Sequence, residues 1–153
     1  MKKSFVILVL ALLLSSCSYF LNQPFFNDQY RIHPLGMKIY NKTGKDITEQ
    51  RWDYIFWTVD DAYKSFKDCV ADSEEVIDKA IRSRPIIIIP PAHIDIYQGE
   101  AHAYTDLDSV FIRDDYFFAP TLRAEWVHIY LYETGKRFLG DFNHIDDLFT
   151  KCR

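Results

Sequence analysis

The segment Arg123-Ala124-Glu125-Trp126-Val127-His128 carries the side chains of this chain that are best suited to catalysis or metal binding. On a helix, Glu125 and His128 would share one face. A histidine at position 124 would complete His-Glu-x-x-His, in which two histidines bind zinc and the glutamate activates the metal-bound water. The residue present is Ala124, which has no lone pair to donate. Glu125 and His128 are therefore either the remnant of a metal site or a hydrogen-bonded i, i+3 pair on a partly exposed helix face.

Apolar periodicity predicts the helix that would hold this pair, and two others. Asp46 and Glu49 form a possible capping box at the start of the first helix, and Gly135 stands where a C-cap glycine ends the last one. The predicted helices span 48–69, 72–82 and 122–133. The tail, 138–153, is expected to be a loop followed by a short final helix.

Short apolar runs between turn residues predict the strands. The clearest is a run of four isoleucines between Pro85 and Pro90. The expected strands are 37–40, 86–89, 101–104 and 109–112, with 93–97 as a further short piece. This order of elements indicates an α+β domain, with a small mixed sheet of short strands packed by two main helices.

Several motifs together resemble a group of small bacterial lipoproteins with a zincin-like, metallopeptidase-type domain. The motifs are Leu122-Arg123-x-Glu125-x-x-His128, Thr134-Gly135, Asp141-x-x-His144, a terminal cysteine, Ile39-Tyr40-x-x-Thr43-Gly44, a helix ending at Cys69 and a strand closed by Pro90-Pro91. The resemblance covers about Met37 to Cys152 and implies a zincin-like fold.

The resemblance implies a role for each matching side chain. Glu125 would be the general base, His128 the second zinc ligand and His144 a third ligand. Residues 99–112 would include the edge strand, which holds an extended peptide by β-addition.

Ala124 is the point at which the chain departs from the metallopeptidase pattern. A catalytic zinc usually has three protein ligands and a water, so the loss of the first ligand favours a non-catalytic relative without a cofactor. An active zinc peptidase would need a substitute ligand, for which His102, His93 and Asp141 are the candidates.

The N-terminus has the three parts of a bacterial export signal: a basic start at Lys2 and Lys3, an apolar run over 5–14, and small residues before Cys17. The run is too short to span a bilayer as a mature helix. Leu14-Ser15-Ser16-Cys17 resembles a lipobox, which is cleaved before a cysteine that receives the lipid. We expect a signal peptide over 1–16 and a membrane anchor on Cys17, with an uncleaved N-terminal anchor as the alternative.

Cleavage would place the mature chain outside the cytoplasm, with a tether over 17–35 and the zincin-like domain over 36–153. His33 falls in the tether and has no predicted role. Ser18 is not the aspartate that retains lipoproteins at the inner membrane of enteric-type bacteria, which points to the outer membrane facing the periplasm in a Gram-negative host.

The charge of the chain argues against nucleic-acid binding, and its cysteine content predicts one disulfide. Without Lys2 and Lys3, the chain has 16 basic and 22 acidic residues, a net charge of −6, and no basic patch, so nucleic-acid binding is not expected. Cys69 and Cys152 form an even pair in an oxidising compartment and are predicted to join the tail to the first helix by a disulfide. Two free thiols are the alternative.

Three functions are consistent with these features. The favoured one is a non-catalytic envelope lipoprotein that binds a peptide or another envelope protein. The second is an active zinc peptidase. The third is a structural envelope lipoprotein unrelated to peptidases, for which Glu125, His128 and His144 would not converge in space.

Overall fold

A computed structural model of the protein describes residues 29–91, 102–137 and 140–152. The described part is an α+β domain with a five-stranded mixed sheet and two main helices, as predicted. The strands are β1 (Tyr30–Ile32), β2 (Lys38–Asn41), β3 (Ile86–Ile89), β4 (Ala103–Thr105) and β5 (Val110–Arg113). The helices are α1 (Glu49–Val70), α2 (Glu74–Ile81), α3 (Ala119–Glu133) and α4 (Leu148–Lys151), with a 3-10 turn at Asp114–Tyr116.

The strands lie in the order β1-β2-β3-β5-β4. The three inner strands are parallel to one another, and β1 and β4 are antiparallel to their neighbours at the two ends. Register aligns Ile39 with Ile86 and Ile86 with Val110, and all three side chains are fully buried. This face of the sheet therefore forms the core with the helices.

Helix α1 is amphipathic and packs its buried stripe, which includes Ile55, Val59 and Phe66, into that core. The Thr48 hydroxyl caps the helix by accepting the Arg51 amide hydrogen. The prediction that Asp46 caps α1 was therefore wrong. A short polar side chain near a helix start signals a cap, but its exact position is set by the loop geometry.

Helix α3 lies at the centre of the core and has buried side chains on most of its surface, among them Leu122, Trp126 and Tyr130. It begins at Ala119, earlier than the predicted start at Leu122, and Pro120 lies in its first turn. A proline is tolerated there because the first amides of a helix have no intrahelical acceptor.

The tether prediction for 17–35 was wrong at its C-terminal end. Tyr30–Ile32 is a strand that pairs with β2, and an ion pair joins Arg31 to Glu49. His33 is buried, with Nε2 at 3.1 Å from the carbonyl oxygen of Phe56. A three-residue edge strand has too little alternation to be recognised in the sequence, and its pairing is a tertiary contact.

The remaining predictions have mixed outcomes. The Cys69–Cys152 disulfide is present, with 5.3 Å between the two Cα atoms. Helix α4 lies where a short final helix was expected. The strand predicted at 93–97 and the start of the 99–112 segment lie outside the described residues.

Candidate functional site

The centre of the candidate site is a pair of histidines that face each other. His128 is a buried residue of α3, and His144 lies in the loop before α4. Their Nε2 atoms are 3.0 Å apart, although the two residues are sixteen positions apart in the chain. The fold therefore brings together two of the three side chains that the resemblance assigns to a metal site.

The backbone carbonyl of Gly140 sets the protonation of His128. Its oxygen lies 2.8 Å from Nδ1 of His128, and because a carbonyl can only accept, Nδ1 carries the hydrogen in this bond. Nε2 of the neutral ring then directs its lone pair at Nε2 of His144. Metal-binding histidines in proteins are oriented by the same kind of backbone contact.

Gly140 can approach His128 so closely only because it has no side chain. A Cβ atom at this position would lie 2.4 Å from the His128 carbonyl oxygen and 2.9 Å from the Leu107 side chain. Its φ of +69° also lies in the left-handed region, which favours glycine. The glycine is therefore required for the hydrogen bond to the His128 ring.

His144 is held by its own loop and by α4. Its backbone amide donates to the Asp141 carbonyl at 2.9 Å, and its φ is +54°. The ring of Phe149 on α4 lies 4.3 Å from the His144 ring and 4.6 Å from the His128 ring, measured between centroids. Phe149 thus packs against both histidines and limits how far either ring can move.

The disulfide holds α4 in this place. Cys152 directly follows α4, and it is bonded to Cys69 in the last turn of α1. The Cys152 carbonyl oxygen also accepts a hydrogen bond from Nε of Arg123, at 2.7 Å. Covalent and polar links therefore connect the histidine pair to the two main helices.

Glu125 is buried one turn before His128 on α3. Burial raises the pKa of Glu125 to about 8. Its carboxyl group is therefore mostly protonated at neutral pH, unless a cation lies beside it. The alternative of an exposed Glu125–His128 hydrogen-bonded pair was wrong, because both residues are buried and the two ring nitrogens of His128 contact Gly140 and His144.

The possible substitute ligands do not complete the set. Asp141 uses its carboxylate to accept the Asp146 amide hydrogen at 2.6 Å. His102 stacks on Tyr116 with 3.5 Å between ring centroids, and its buried Nδ1 has no hydrogen-bond partner among the described residues. His93 lies outside the described residues.

The separation of the two histidines fits a metal ion, but the ligand count is incomplete. With zinc–nitrogen bonds of about 2.0–2.1 Å, a 3.0 Å gap gives an N–Zn–N angle of roughly 95°. Within residues 29–91, 102–137 and 140–152, however, no three His, Cys, Asp or Glu side chains are placed to hold one ion. The described residues supply two ligands and not the three of a catalytic zinc.

Two contributors to the site were not predicted from the sequence, the Gly140 carbonyl and the Phe149 ring. The role of Gly140 could have been predicted, since an isolated glycine after a helix often marks a close backbone approach. The role of Phe149 could not have been predicted, because an aromatic residue in a short terminal helix is usually part of the general core.

The comparisons with known proteins bear on the N-terminus. Residues 1–18 match the family described as prokaryotic membrane lipoprotein lipid attachment site. The chain is a membrane-anchored lipoprotein. Its anchor is the lipid on Cys17, and the domain that follows is extracytoplasmic. No curated protein and no solved structure matches the chain. None of the described helices has the length and apolar character needed to cross a bilayer.

Proposed function

We propose that this lipoprotein is a non-catalytic binding protein of the cell envelope, built on a degenerate zincin-like domain over about 36–153, with β1 added to it. Its ligand is a peptide in extended conformation, which pairs with the outer edge of β4. The observation that carries the proposal is the position of β4, the last strand of the described sheet, in contact with the helix that holds Glu125 and His128.

The backbone of β4 has the polar groups needed for such pairing. The Arg113 amide donates to the His102 carbonyl at 3.0 Å, and Tyr104 is the register partner of Phe111. Because antiparallel pairs alternate, the amides and carbonyls of Ala103 and Thr105 point away from β5. An added strand would pair with these outward groups.

Two features argue against hydrolysis of the bound peptide. Ala124 removes the first ligand of the His-Glu-x-x-His motif. In the metal-free domain, the raised pKa of Glu125 also leaves the proposed general base largely protonated at neutral pH, and a protonated carboxyl cannot take a proton from water. If zinc were bound, His128 and His144 would hold it, and it would supply Lewis-acid activation of water.

The His128–His144 pair also supports descent from a metal site over an unrelated structural lipoprotein. Convergence of two distant histidines, with one ring oriented by a backbone carbonyl, is expected of a former metal centre.

Metal content tests the degenerate site. The full chain is purified from a zinc-supplemented oxidising host as wild type, Ala124→His and His128→Ala. We expect little zinc in the wild type and near-stoichiometric zinc in Ala124→His, since the added histidine supplies the missing ligand. Stoichiometric zinc in the wild type, lost in His128→Ala, would instead support the active peptidase. No zinc in any variant would contradict descent from a metal site.

Peptide binding tests the role of β4. Peptides are selected from a random phage-displayed library on the lipidated protein in detergent, and their binding is compared with Ala103→Pro and Ala103→Val. Proline removes an outward-facing amide while leaving the bonds to β5 in place. We expect binding to be lost in Ala103→Pro and retained in Ala103→Val. Equal binding to both variants would exclude pairing with this edge.

We also propose that the anchor lies in the outer membrane, facing the periplasm, if the host is Gram-negative. The support is Ser18, which stands where an inner-membrane retention signal would have aspartate. Separation of inner and outer membranes of the host, with detection of the lipoprotein in each, tests the location.

A further inference from the structure

A row of apolar side chains crosses the whole outer face of the sheet. Register aligns one residue of each strand, in the order Tyr30, Tyr40, Ile87, Phe111 and Tyr104. The Tyr30 and Tyr40 rings are 5.5 Å apart and the Tyr104 and Phe111 rings 4.5 Å apart, between centroids. Five strands at about 4.8 Å spacing make this outer row roughly 19 Å long.

The outer row lies on the face opposite the core. Its members alternate along the strands with fully buried residues such as Ile39, Ile88 and Ile112. Tyr30 and Tyr104, at the two ends, are 52% and 37% exposed, and the three inner members are half-buried. Within residues 29–91, 102–137 and 140–152, the two ends of this aromatic row are thus exposed on the side away from α1 and α3.

The chemistry of this face fits the interface of a lipid bilayer. Tyrosine concentrates at membrane interfaces because its ring is apolar and its hydroxyl can reach water and headgroups. The exposed side chains of Ile32 and Lys38 extend the same face. A lysine at the edge of an apolar surface can place its ammonium group beside a lipid phosphate.

The lipid anchor keeps this face near a membrane. Tyr30 lies thirteen positions after Cys17, a span of at most about 45 Å when extended and roughly 20 Å as a flexible coil. The connecting segment contains Tyr19, Phe20, Phe25 and Phe26, which themselves favour the interface. The outer row begins at β1, the strand closest to Cys17 in the sequence, so the tether keeps this end of the row near the bilayer.

We propose that the lipoprotein lies on its own membrane through the outer face of the sheet, with the Tyr30–Tyr104 row at the headgroup level. The net charge of −6 argues that apolar contact, and not attraction to anionic lipids, holds the domain there. In this orientation α3 and the histidine pair lie on the side away from the lipid. The proposal does not depend on peptide binding at β4.

Fluorescence of tryptophans placed on the two sides of the domain tests the orientation. The lipidated full chain is reconstituted into phosphatidylcholine vesicles with or without brominated acyl chains. Trp57 is exposed, so the background is Trp57→Phe. One protein adds Tyr104→Trp on the outer face, and its matched control adds Tyr132→Trp, which is 45% exposed on α3. Circular dichroism verifies that both proteins are folded.

Trp52 and Trp126 are buried and contribute equally to both proteins, so the emission of the added tryptophan is taken as the difference from the Trp57→Phe background. We expect that difference to be blue-shifted and quenched by brominated lipid for Tyr104→Trp, and to show neither effect for Tyr132→Trp. Equal quenching of the two proteins, or quenching of Tyr132→Trp alone, would overturn the proposed orientation. Absence of quenching in both would show that the domain stays clear of the bilayer. A blue shift without quenching in Tyr104→Trp would mean that protein, from the same chain or a second copy, covers the row.

Discussion

Removal of the Cys69–Cys152 disulfide is expected to destabilise the domain strongly. The proposed change is the double substitution Cys69→Ser and Cys152→Ser, which leaves no unpaired thiol at either position. The bond closes a loop of 83 residues. The chain-entropy relation for a loop of this length gives about 4.5 kcal/mol at 25 °C, a large part of the stability of an ordinary domain.

Urea unfolding followed by circular dichroism measures this loss. With a slope of about 2 kcal/mol per molar for a domain of this size, the midpoint should fall by roughly 2 M. The wild type under reducing conditions is the matched control, and its curve should coincide with that of the double variant. A loss below about 1 kcal/mol would refute the loop-entropy argument, since the unfolded chain would then gain little freedom.

The same variant should also loosen the histidine pair. Cys152 holds the end of α4, and Phe149 of that helix packs on both His128 and His144. In the folded double variant, the imidazole nitrogen resonances of the two histidines should broaden or shift towards values for free rings. Unchanged resonances would show that the loop over 140–146 positions His144 without help from α4.

Two further predictions concern the site. Gly140→Ala should lower the free energy of unfolding, measured in urea, by about 3 kcal/mol or more, because its Cβ would overlap the His128 carbonyl. The control is Gly135→Ala, which is also at positive φ but has open space around it, and it should lower that free energy by only about 1–2 kcal/mol. Equal losses would contradict the close approach. Glu125 has a folded-state pKa raised from 4.5 to about 8, so the wild type should lose up to about 5 kcal/mol of stability as pH rises from 4.5 through 8. Glu125→Gln should lack this pH dependence, and parallel urea midpoints for the two proteins across that range would contradict it.

Most of the secondary structure could be predicted from local patterns. The four isoleucines between prolines form β3, and the apolar periodicity before Cys69 forms α1. The first signal works because a short β-branched run between prolines suits a mostly buried strand, and the second because burial of one helix face imposes a period of 3.6 residues. The disulfide could also be predicted, since two cysteines remain for an oxidising compartment once Cys17 is assigned to the lipid.

β1 and the burial of His33 could not be predicted in this way. The strand is three residues long, and its stability comes from pairing with β2 and from the Arg31–Glu49 ion pair. The position of the N-cap at Thr48 likewise depends on the path of the preceding loop. Each of these features is decided by partners that are distant in the chain or by loop geometry, which local residue patterns do not report.

The candidate site likewise has features that the sequence determines and features that only the fold determines. The sequence already determines the residue types of the site and their spacing: Glu125 and His128 lie one helical turn apart, and Ala124 stands in place of a ligand. The 3.0 Å approach of His144 to His128, the orientation of the ring by Gly140 and the raised pKa of Glu125 arise only in the folded domain. The physical reason is that distance, hydrogen-bond direction and desolvation are properties of packing, whereas residue type and helical spacing are properties of the sequence.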